Sequence, residues 1–180
     1  NKISINTAVR FLTDSTQFHF HSSDMRILGR NWRWDESNRI TYHEGLWMFN
    51  NINASNGTER LEIHGAYSDN PNHALNIDLR EINIENIKSF TDANVSGVVD
   101  GRIRVKKQPD NDLIEGSVVA RTVKIGNFTL GNIFGITTWD SENKSLGVNL
   151  DLIHEGKKKI EIAGSYFPNR DADKLDMKAK

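Results

Sequence analysis

The clearest pattern in the sequence is Val95-Ser-Gly-Val-Val-Asp-Gly-Arg-Ile-Arg-Val105, in which apolar or small residues alternate with polar ones except at Val98. Val99 and Ile103 fall on one side of an extended chain, together with the terminal valines, whereas the charged residues fall on the other. Successive side chains of a β-strand point to opposite faces, so this pattern predicts a strand with one apolar and one hydrated face.

The same alternation recurs along the chain, and residues that favour turns separate the alternating stretches. The further stretches lie at 18–20, 61–63, 75–79, 148–152 and 160–162. The turn candidates lie at 56–57, 68–71, 108–112, 141–144 and 168–171. No segment shows the 3.6-residue period of an amphipathic helix, so the sequence predicts an all-β fold.

Charge and composition limit the class of function. The chain has 23 basic and 24 acidic residues and a formal net charge of −1 at pH 7. It therefore offers no basic field for nucleic acid, and we predict no nucleic-acid partner. The apolar fraction of 37% lies below the about 45–50% of ordinary globular chains, which favours an extended sheet with one hydrated face.

Cysteine is absent from the sequence, which excludes disulfides and thiolate chemistry and suits a periplasmic protein. The sequence has no apolar run of about 18 residues and no signal-peptide pattern. It starts at Asn1 and ends on the strand-like Leu175-Asp-Met-Lys-Ala-Lys180. We expect both ends to be cut from a longer protein whose anchor lies elsewhere.

Two segments occur twice in the same order, which indicates an internal repeat. Residues 34–40 (WDESNRI) match 139–146 (WDSENKSL), and 61–67 (LEIHGAY) match 160–166 (IEIAGSY). The offsets are 105 and 99 residues, and we attribute the difference to loop length. The sequence thus predicts one continuous β-rich segment over 1–180, with similar units at about 16–80 and 114–180 joined by strands in 81–113.

The motifs after residue 95 resemble those of a known family. A glycine-bearing strand is followed by a proline turn, a second glycine-bearing strand and a Leu-Gly pair before another strand. The residues concerned are Gly97, Gly101, Pro109, Gly116 and Leu130-Gly131. Their order and spacing resemble the family of the translocation and assembly module subunit TamB, within the AsmA-like group, in a Bacteroides-type form. The resemblance covers about residues 29–180.

This resemblance implies a fold, a location and partners. The fold would be an elongated, curved antiparallel or solenoid-like sheet, the β-taco, with a hydrophobic trough. The protein would lie in the periplasm, with an inner-membrane anchor outside this fragment, and serve lipid transport or outer-membrane biogenesis. The expected partners are phospholipid or unfolded outer-membrane protein segments, with an outer-membrane assembly protein bound through regions outside this fragment.

Such a trough needs no reactive group, because removing hydrocarbon from water stabilises by about 0.8 kcal/mol per CH₂. We therefore expect no catalytic residues, no cofactor and no metal. The residues predicted to line the groove are Leu75, Ile77, Leu79, Val99, Ile103, Val105, Val148, Leu150, Leu152, Ile160 and Ile162.

Other interpretations of the same residues stay open at this point. The apolar residues would equally fill the core of a closed β-sandwich. The chain would then be a surface carbohydrate-binding module, whose platform would come from the four tryptophans Trp32, Trp34, Trp47 and Trp139. His19 and His21 would supply two metal ligands, but the sequence places no third beside them. An enzyme would need an acid–base pair, and no carboxylate is marked out by its context.

Overall fold

The computed structural model of this chain describes residues 7–21, 24–27, 30–85, 94–109, 112–140, 142–168, 170 and 173–180. Strands account for 74% of the chain, and no α-helix occurs within the described ranges. The prediction of an all-β fold is therefore confirmed. The strands are β1 (Thr7–Phe11), β2 (Thr16–Phe20), β3 (Asp24–Ile27), β4 (Arg30–Trp34), β5 (Arg39–His43), β6 (Leu46–Asn56), β7 (Glu59–Tyr67), β8 (Leu75–Asn83), β9 (Val95–Lys106), β10 (Leu113–Ile125), β11 (Phe128–Asp140), β12 (Ser145–His154), β13 (Lys157–Tyr166) and β14 (Leu175–Ala179).

Hydrogen bonding joins the strands into one open antiparallel sheet. The order is β1-β2-β5-β6 and then β7 to β14 in sequence, while β4 pairs with both β3 and β6. This order is largely that of a meander, as expected where short turns connect strands. A β-sandwich consists of two separate sheets, whereas the strands of this chain pair into one sheet, so the structure differs from the sandwich alternative.

The chain divides into two compact units. The first unit comprises Asn1–Ile82 and Arg104–Leu113, and the second comprises Asn83–Ile103 and Ile114–Lys180. The five predicted turns fall at the junctions of successive strands, with Asn56 as the last residue of β6. Residues 110, 111, 141, 169 and 171 of these turns lie outside the described residues. In the described part of the chain, no helix is long and apolar enough to cross a membrane.

Few side chains are fully buried. In the described part of the chain, the buried apolar residues are Trp32, Ile52, Ala54, Leu113 and Val123. Most strand residues are half-buried instead. This distribution agrees with the low apolar content of the sequence and with strands that have one hydrated face.

In the first unit, an interruption separates β4 from β5 on the same side of β6. Trp34 pairs with Ala54, and after residues 35–38 the pairing with β6 resumes at Arg39 and Asn50. The Asn38 side chain fills this gap and is fully buried. Its Nδ2 donates to the Asn53 carbonyl at 2.9 Å, and its Oδ1 accepts from the Asn53 amide at 2.7 Å. The amide group thus substitutes for a missing strand residue.

The repeated segments match in one strand and differ in the other. In β7 and β13, the segments 61–67 and 160–166 each lie between a preceding and a following antiparallel strand. Trp34, however, is aligned through Ala54 with Leu61, at the start of that strand. Trp139 is aligned through Leu146 with Tyr166, at its end. Between the matched segments, the first unit has the strands β5 and β6, whereas the second unit has β12. The different offsets therefore reflect an additional strand, and the attribution to loop length is wrong.

A second correction concerns the Leu-Gly pair. Leu130-Gly131 was expected before a strand, but both residues lie inside β11. Gly131 has φ 110° and faces Val123 at an irregular point in the pairing of β10 with β11. Glycine tolerates this positive φ, so the pair marks a bulge and not a strand start.

Candidate functional site: two apolar sheet faces

The first unit has one face made of uncharged, mostly apolar side chains. Residues directly opposite each other on antiparallel strands share a face, so the pairing of β6, β7 and β8 defines rows across this face. The rows are Ile52–Ile63–Ile77, Ala54–Leu61–Leu79 and Phe49–Gly65–Leu75. None of these residues is charged. We call this surface the apolar face of the first unit.

Aromatic rings extend this face toward β2 and β5. Trp47 stands opposite Tyr67 and Tyr42, and its ring centroid lies 4.7 Å from that of Tyr42 and 6.1 Å from that of Phe18. Phe20 stacks on Trp34 with centroids 5.5 Å apart. Such pairs stabilise beyond the area they bury, so this end of the face is well fixed.

The second unit has a face of the same kind, formed by β11, β12, β13 and β14. Its rows are Gly135–Leu150–Ile162–Ala179, Ile133–Leu152–Ile160, Thr137–Val148–Gly164–Met177 and Trp139–Leu146–Tyr166–Leu175. Again none of these residues is charged. We call this surface the apolar face of the second unit.

Both faces are partly exposed, although Ile52 and Ala54 of the first face are buried. On the first, Trp47 is 36% exposed, and on the second, Ile160 is 41% exposed and Leu175 64% exposed. Most other members of the rows are half-buried, including Ile77 and Leu150. A face of this kind can cover hydrocarbon, and its polar atoms include the hydroxyl groups of Tyr67 and Tyr166.

The eleven residues predicted to line a groove divide between the two units. Leu75, Ile77 and Leu79 lie on the apolar face of the first unit, and residues 148, 150, 152, 160 and 162 lie on that of the second. Ile103 adjoins Gly116, since its Cγ1 lies 3.5 Å from the point where a Gly116 β-carbon would stand. Gly116 pairs with Thr137, which places Ile103 on the second face. Val99 lies four residues before Ile103 in β9, so strand alternation places it on the same side as Ile103. Val105 is half-buried in β9.

The side of the second unit opposite its apolar face carries ion pairs, beside the exposed apolar side chains of Phe134 and Ile136. In the second unit, Lys158 Nζ lies 2.9 Å from Asp151 and 3.3 Å from Glu161, and the Asp151 carboxylate is the main cause of the raised pKa of Lys158. Arg121 pairs with Asp100 at 2.5 Å. These contacts hold charged side chains on that side of the second unit, whereas the rows of the apolar face contain none.

A polar contact also fixes the turn regions of the first unit. The Tyr67 hydroxyl donates to the Asp112 carboxylate at 2.9 Å. Lys107 pairs with Asp69 at 3.0 Å and lies 6.0 Å from the centre of the Tyr67 ring. Partial burial, then the hydrogen bond to Asp112, raises the pKa of Tyr67.

A pocket of about 560 Å³ in the first unit is unlike either apolar face. Arginines and carboxylates from neighbouring strands dominate its lining, so it does not suit an acyl chain. Its charged lining residues are Arg33, Arg60, Arg80, Asp35, Glu36, Glu62 and Asp78.

The tryptophans and histidines noted in the sequence make separate contacts in the structure. Trp32 is 8% exposed, Trp34 stacks on Phe20, and Trp139 belongs to the second apolar face. His19 Nε2 lies 3.3 Å from the Gln17 amide oxygen. Within the described residues, no three histidine or carboxylate side chains are grouped to hold a metal ion.

Two features escaped the sequence analysis. His43-Glu44-Gly45-Leu46 and His154-Glu155-Gly156-Lys157 form two-residue hairpin turns with positive φ at both central residues. The repeated His-Glu-Gly triplet was the signal. The Trp47–Tyr42 pair follows from the first turn, because both residues lie equally far from it.

The fold and its faces define a class, an all-β protein with uncharged, partly exposed sheet faces. No protein-family model, curated protein or solved structure matches the chain.

Proposed function

We propose that this chain is a structural and binding module of a periplasm-spanning, TamB-like envelope protein. In this function the apolar faces shield lipid acyl chains or outer-membrane protein segments during transport or assembly between the inner and outer membranes. The sheet would form the trough expected from the family resemblance. The anchor and the site for an outer-membrane assembly protein would lie in other regions of that protein.

The observation that supports this proposal is the uncharged composition of both faces together with their partial exposure. The cross-strand rows of each unit contain no charged residue, while Ile160 stays 41% exposed. A face that served only as a core would be covered. A face with alkyl side chains and no fixed polar partner binds hydrocarbon without regard to its position along the strand.

Energetics favour many weak contacts over one strong site. Each CH₂ removed from water contributes about 0.8 kcal/mol. A hydrocarbon chain that moves by one strand along such a face exchanges equivalent contacts, so its free energy changes little. This behaviour suits a surface that guides a ligand and releases it at the end.

Photo-crosslinking in cells tests the proposal, with the chain in its full-length protein. A photoreactive residue at Ile77 or Leu150 reports on the apolar faces. The same residue at Asn76 or Asn149 is the matched control, because each lies one position away on the same strand and points to the opposite side of the sheet.

We expect adducts with phospholipid or with outer-membrane protein from Ile77 and Leu150, and few from the asparagine positions. The mass of the adduct identifies which of the two ligands is carried. Equal yields from apolar and polar positions, or no adduct at any of the four, would contradict the proposal.

A further inference from the structure

One hairpin tip of the second unit exposes two large apolar side chains. Ile125 and Phe128 stand opposite each other at the end of the β10–β11 hairpin, and they are 50% and 68% exposed. The two turn residues between them are Gly126, with φ 57°, and Asn127. The Gly126 amide donates to the Asn94 carbonyl at 2.7 Å, which fixes the tip to the rest of the unit.

The β10–β11 tip extends beyond the neighbouring β12–β13 turn, which lies at the same end of the strands. Asn132 of β11 pairs with Ile153 of β12, and the β12–β13 turn follows two residues later at Glu155. Phe128 lies four residues beyond Asn132 in the same direction. The tip therefore projects about two residues, or ~7 Å, past the adjacent turn. His154 Nδ1 lies 3.0 Å from the Leu130 carbonyl and links the two hairpins.

Lysines lie directly behind the apolar tip. Lys124 precedes Ile125, and Lys157 and Lys159 follow the adjacent turn; all three are exposed. Glu155 is the acidic residue of that turn, and its carboxylate lies 3.9 Å from His154 Nε2. Lys158 is engaged by Asp151 and Glu161. Lys124, Lys157 and Lys159 outnumber Glu155, so this end of the strands carries a net positive charge.

An apolar wedge with cations set behind it complements a lipid surface with negative headgroups. The apolar side chains enter the boundary of the acyl region while the lysines remain level with the headgroups. Two apolar side chains are too small for a stable protein interface, which buries about 800 Å² on each partner. A bilayer sets no such minimum.

We propose that the β10–β11 tip, with Lys124, Lys157 and Lys159, is a contact site for an anionic lipid bilayer. The site is separate from the apolar faces, since it lies at the strand ends and uses charge. It would place this end of the β10 and β11 strands at a membrane surface. The inference stands whether or not the apolar faces carry lipid.

The absence of cysteine from the chain permits a direct test. Phe128→Cys labelled with an environment-sensitive nitrobenzoxadiazole dye reports on the tip. Phe11→Cys, labelled in the same way, is the matched control, because Phe11 is 80% exposed in β1 of the first unit. Each protein is mixed with vesicles of phosphatidylcholine, with or without phosphatidylglycerol.

We expect the dye at position 128 to brighten at least ~2-fold with phosphatidylglycerol vesicles only, and the dye at position 11 to stay unchanged. High salt should suppress the change, because it screens lysine–headgroup attraction. The combined Lys124→Ser, Lys157→Ser and Lys159→Ser variant should weaken binding several-fold.

Flotation of the unlabelled chain gives a second measurement that does not depend on the dye. Wild type should float with phosphatidylglycerol vesicles, and Ile125→Asn with Phe128→Ser should not. The proposal is overturned if wild type does not float, if both labelled positions brighten alike, or if the lysine variant binds as wild type. Failure of cross-linking at both Ile77 and Leu150, with brightening retained here, would reject the proposed function alone.

Discussion

Gly65 and Gly164 occupy equivalent places in the two units and face the same obstacle. Each is the glycine of the repeated Ile-x-Gly-x-Tyr pattern, in β7 and β13. A backbone carbonyl of the neighbouring segment fills the space where a β-carbon would stand. It is that of Ala74 at Gly65 and that of Asp176 at Gly164. Glycine is therefore required at both positions by close approach of the backbone.

Substitution of these glycines should destabilise the units strongly. Gly65→Ala and Gly164→Ala each force the backbone apart, and Gly65 also has φ 108°. We expect a loss of about 1–3 kcal/mol for each, seen as a lower midpoint of urea unfolding. Gly147→Ala is the control, because the Thr138 carbonyl oxygen lies 3.3 Å from the point where a Gly147 β-carbon would stand, against 2.2 Å and 2.0 Å for the carbonyl oxygens at Gly65 and Gly164. Equal losses at all three positions would show that close approach is not the cause.

The Asn38 side chain should be essential to the interruption between β4 and β5. Asn38→Ala leaves the Asn53 amide without its acceptor at a buried point in the sheet. We expect a loss of about 1–3 kcal/mol and faster hydrogen exchange at Asn53. Asn50→Ala, at an exposed position on β6, should change stability by less than about 0.5 kcal/mol. Unchanged exchange at Asn53 would contradict this role.

Local patterns were sufficient to predict the strands but not how the strands pair. Alternation placed the strand at residues 95–105 because side-chain orientation in a strand depends only on neighbours along the chain. The β4–β5 interruption was missed because Asn38 acts on Asn53, which is fifteen residues away. The similar sequences around Trp34 and Trp139 suggested equivalent positions in the two units, but the two residues align with opposite ends of β7 and β13. Register depends on pairing between strands, which the sequence of one strand does not reveal.

Part of the candidate site was accessible to the same reasoning. Ile77 and Leu150 were predicted to share an apolar surface with their alternating neighbours, and each lies on a face of its own unit. Trp47 was considered only as a sugar platform. Its stack with Phe18 depends on strand pairing between β2, β5 and β6, which no single stretch of sequence reveals.

The Tyr67 hydroxyl should titrate later than an ordinary tyrosine. Burial and the Asp112 carboxylate both favour its neutral form and raise its pKa. Because the folded-state pKa is raised, the stabilisation is complete below the unfolded value of about 10 and is lost as pH rises through the higher folded value. The difference in ultraviolet absorbance between wild type and Tyr67→Phe measures this titration. Asp112→Asn should move it to lower pH, and an unmoved titration would rule out the hydrogen bond as a cause.

His19 should make the chain less stable in mild acid. Burial, then the charges of Arg39, Arg10 and His21, lowers its pKa from 6.5. The unfolded chain therefore binds the proton more readily, and stability falls as pH decreases below about 6.5. Urea unfolding at pH 7 and pH 5 should show a smaller decrease for His19→Gln than for wild type. An identical decrease in the two proteins would show that His19 does not contribute.

If an acyl chain occupies the apolar face of the first unit, Trp47 should be in contact with it. Trp47 is 36% exposed, whereas Trp32 is 8% exposed. Bromine quenches indole fluorescence at short range, so a brominated fatty acid should quench the protein in a saturable way. Trp47→Phe should remove the larger share of that quenching, and Trp32→Phe should remove little. Quenching that persists without Trp47 would place the fatty acid away from this end of the face, and no quenching would argue against acyl-chain binding there.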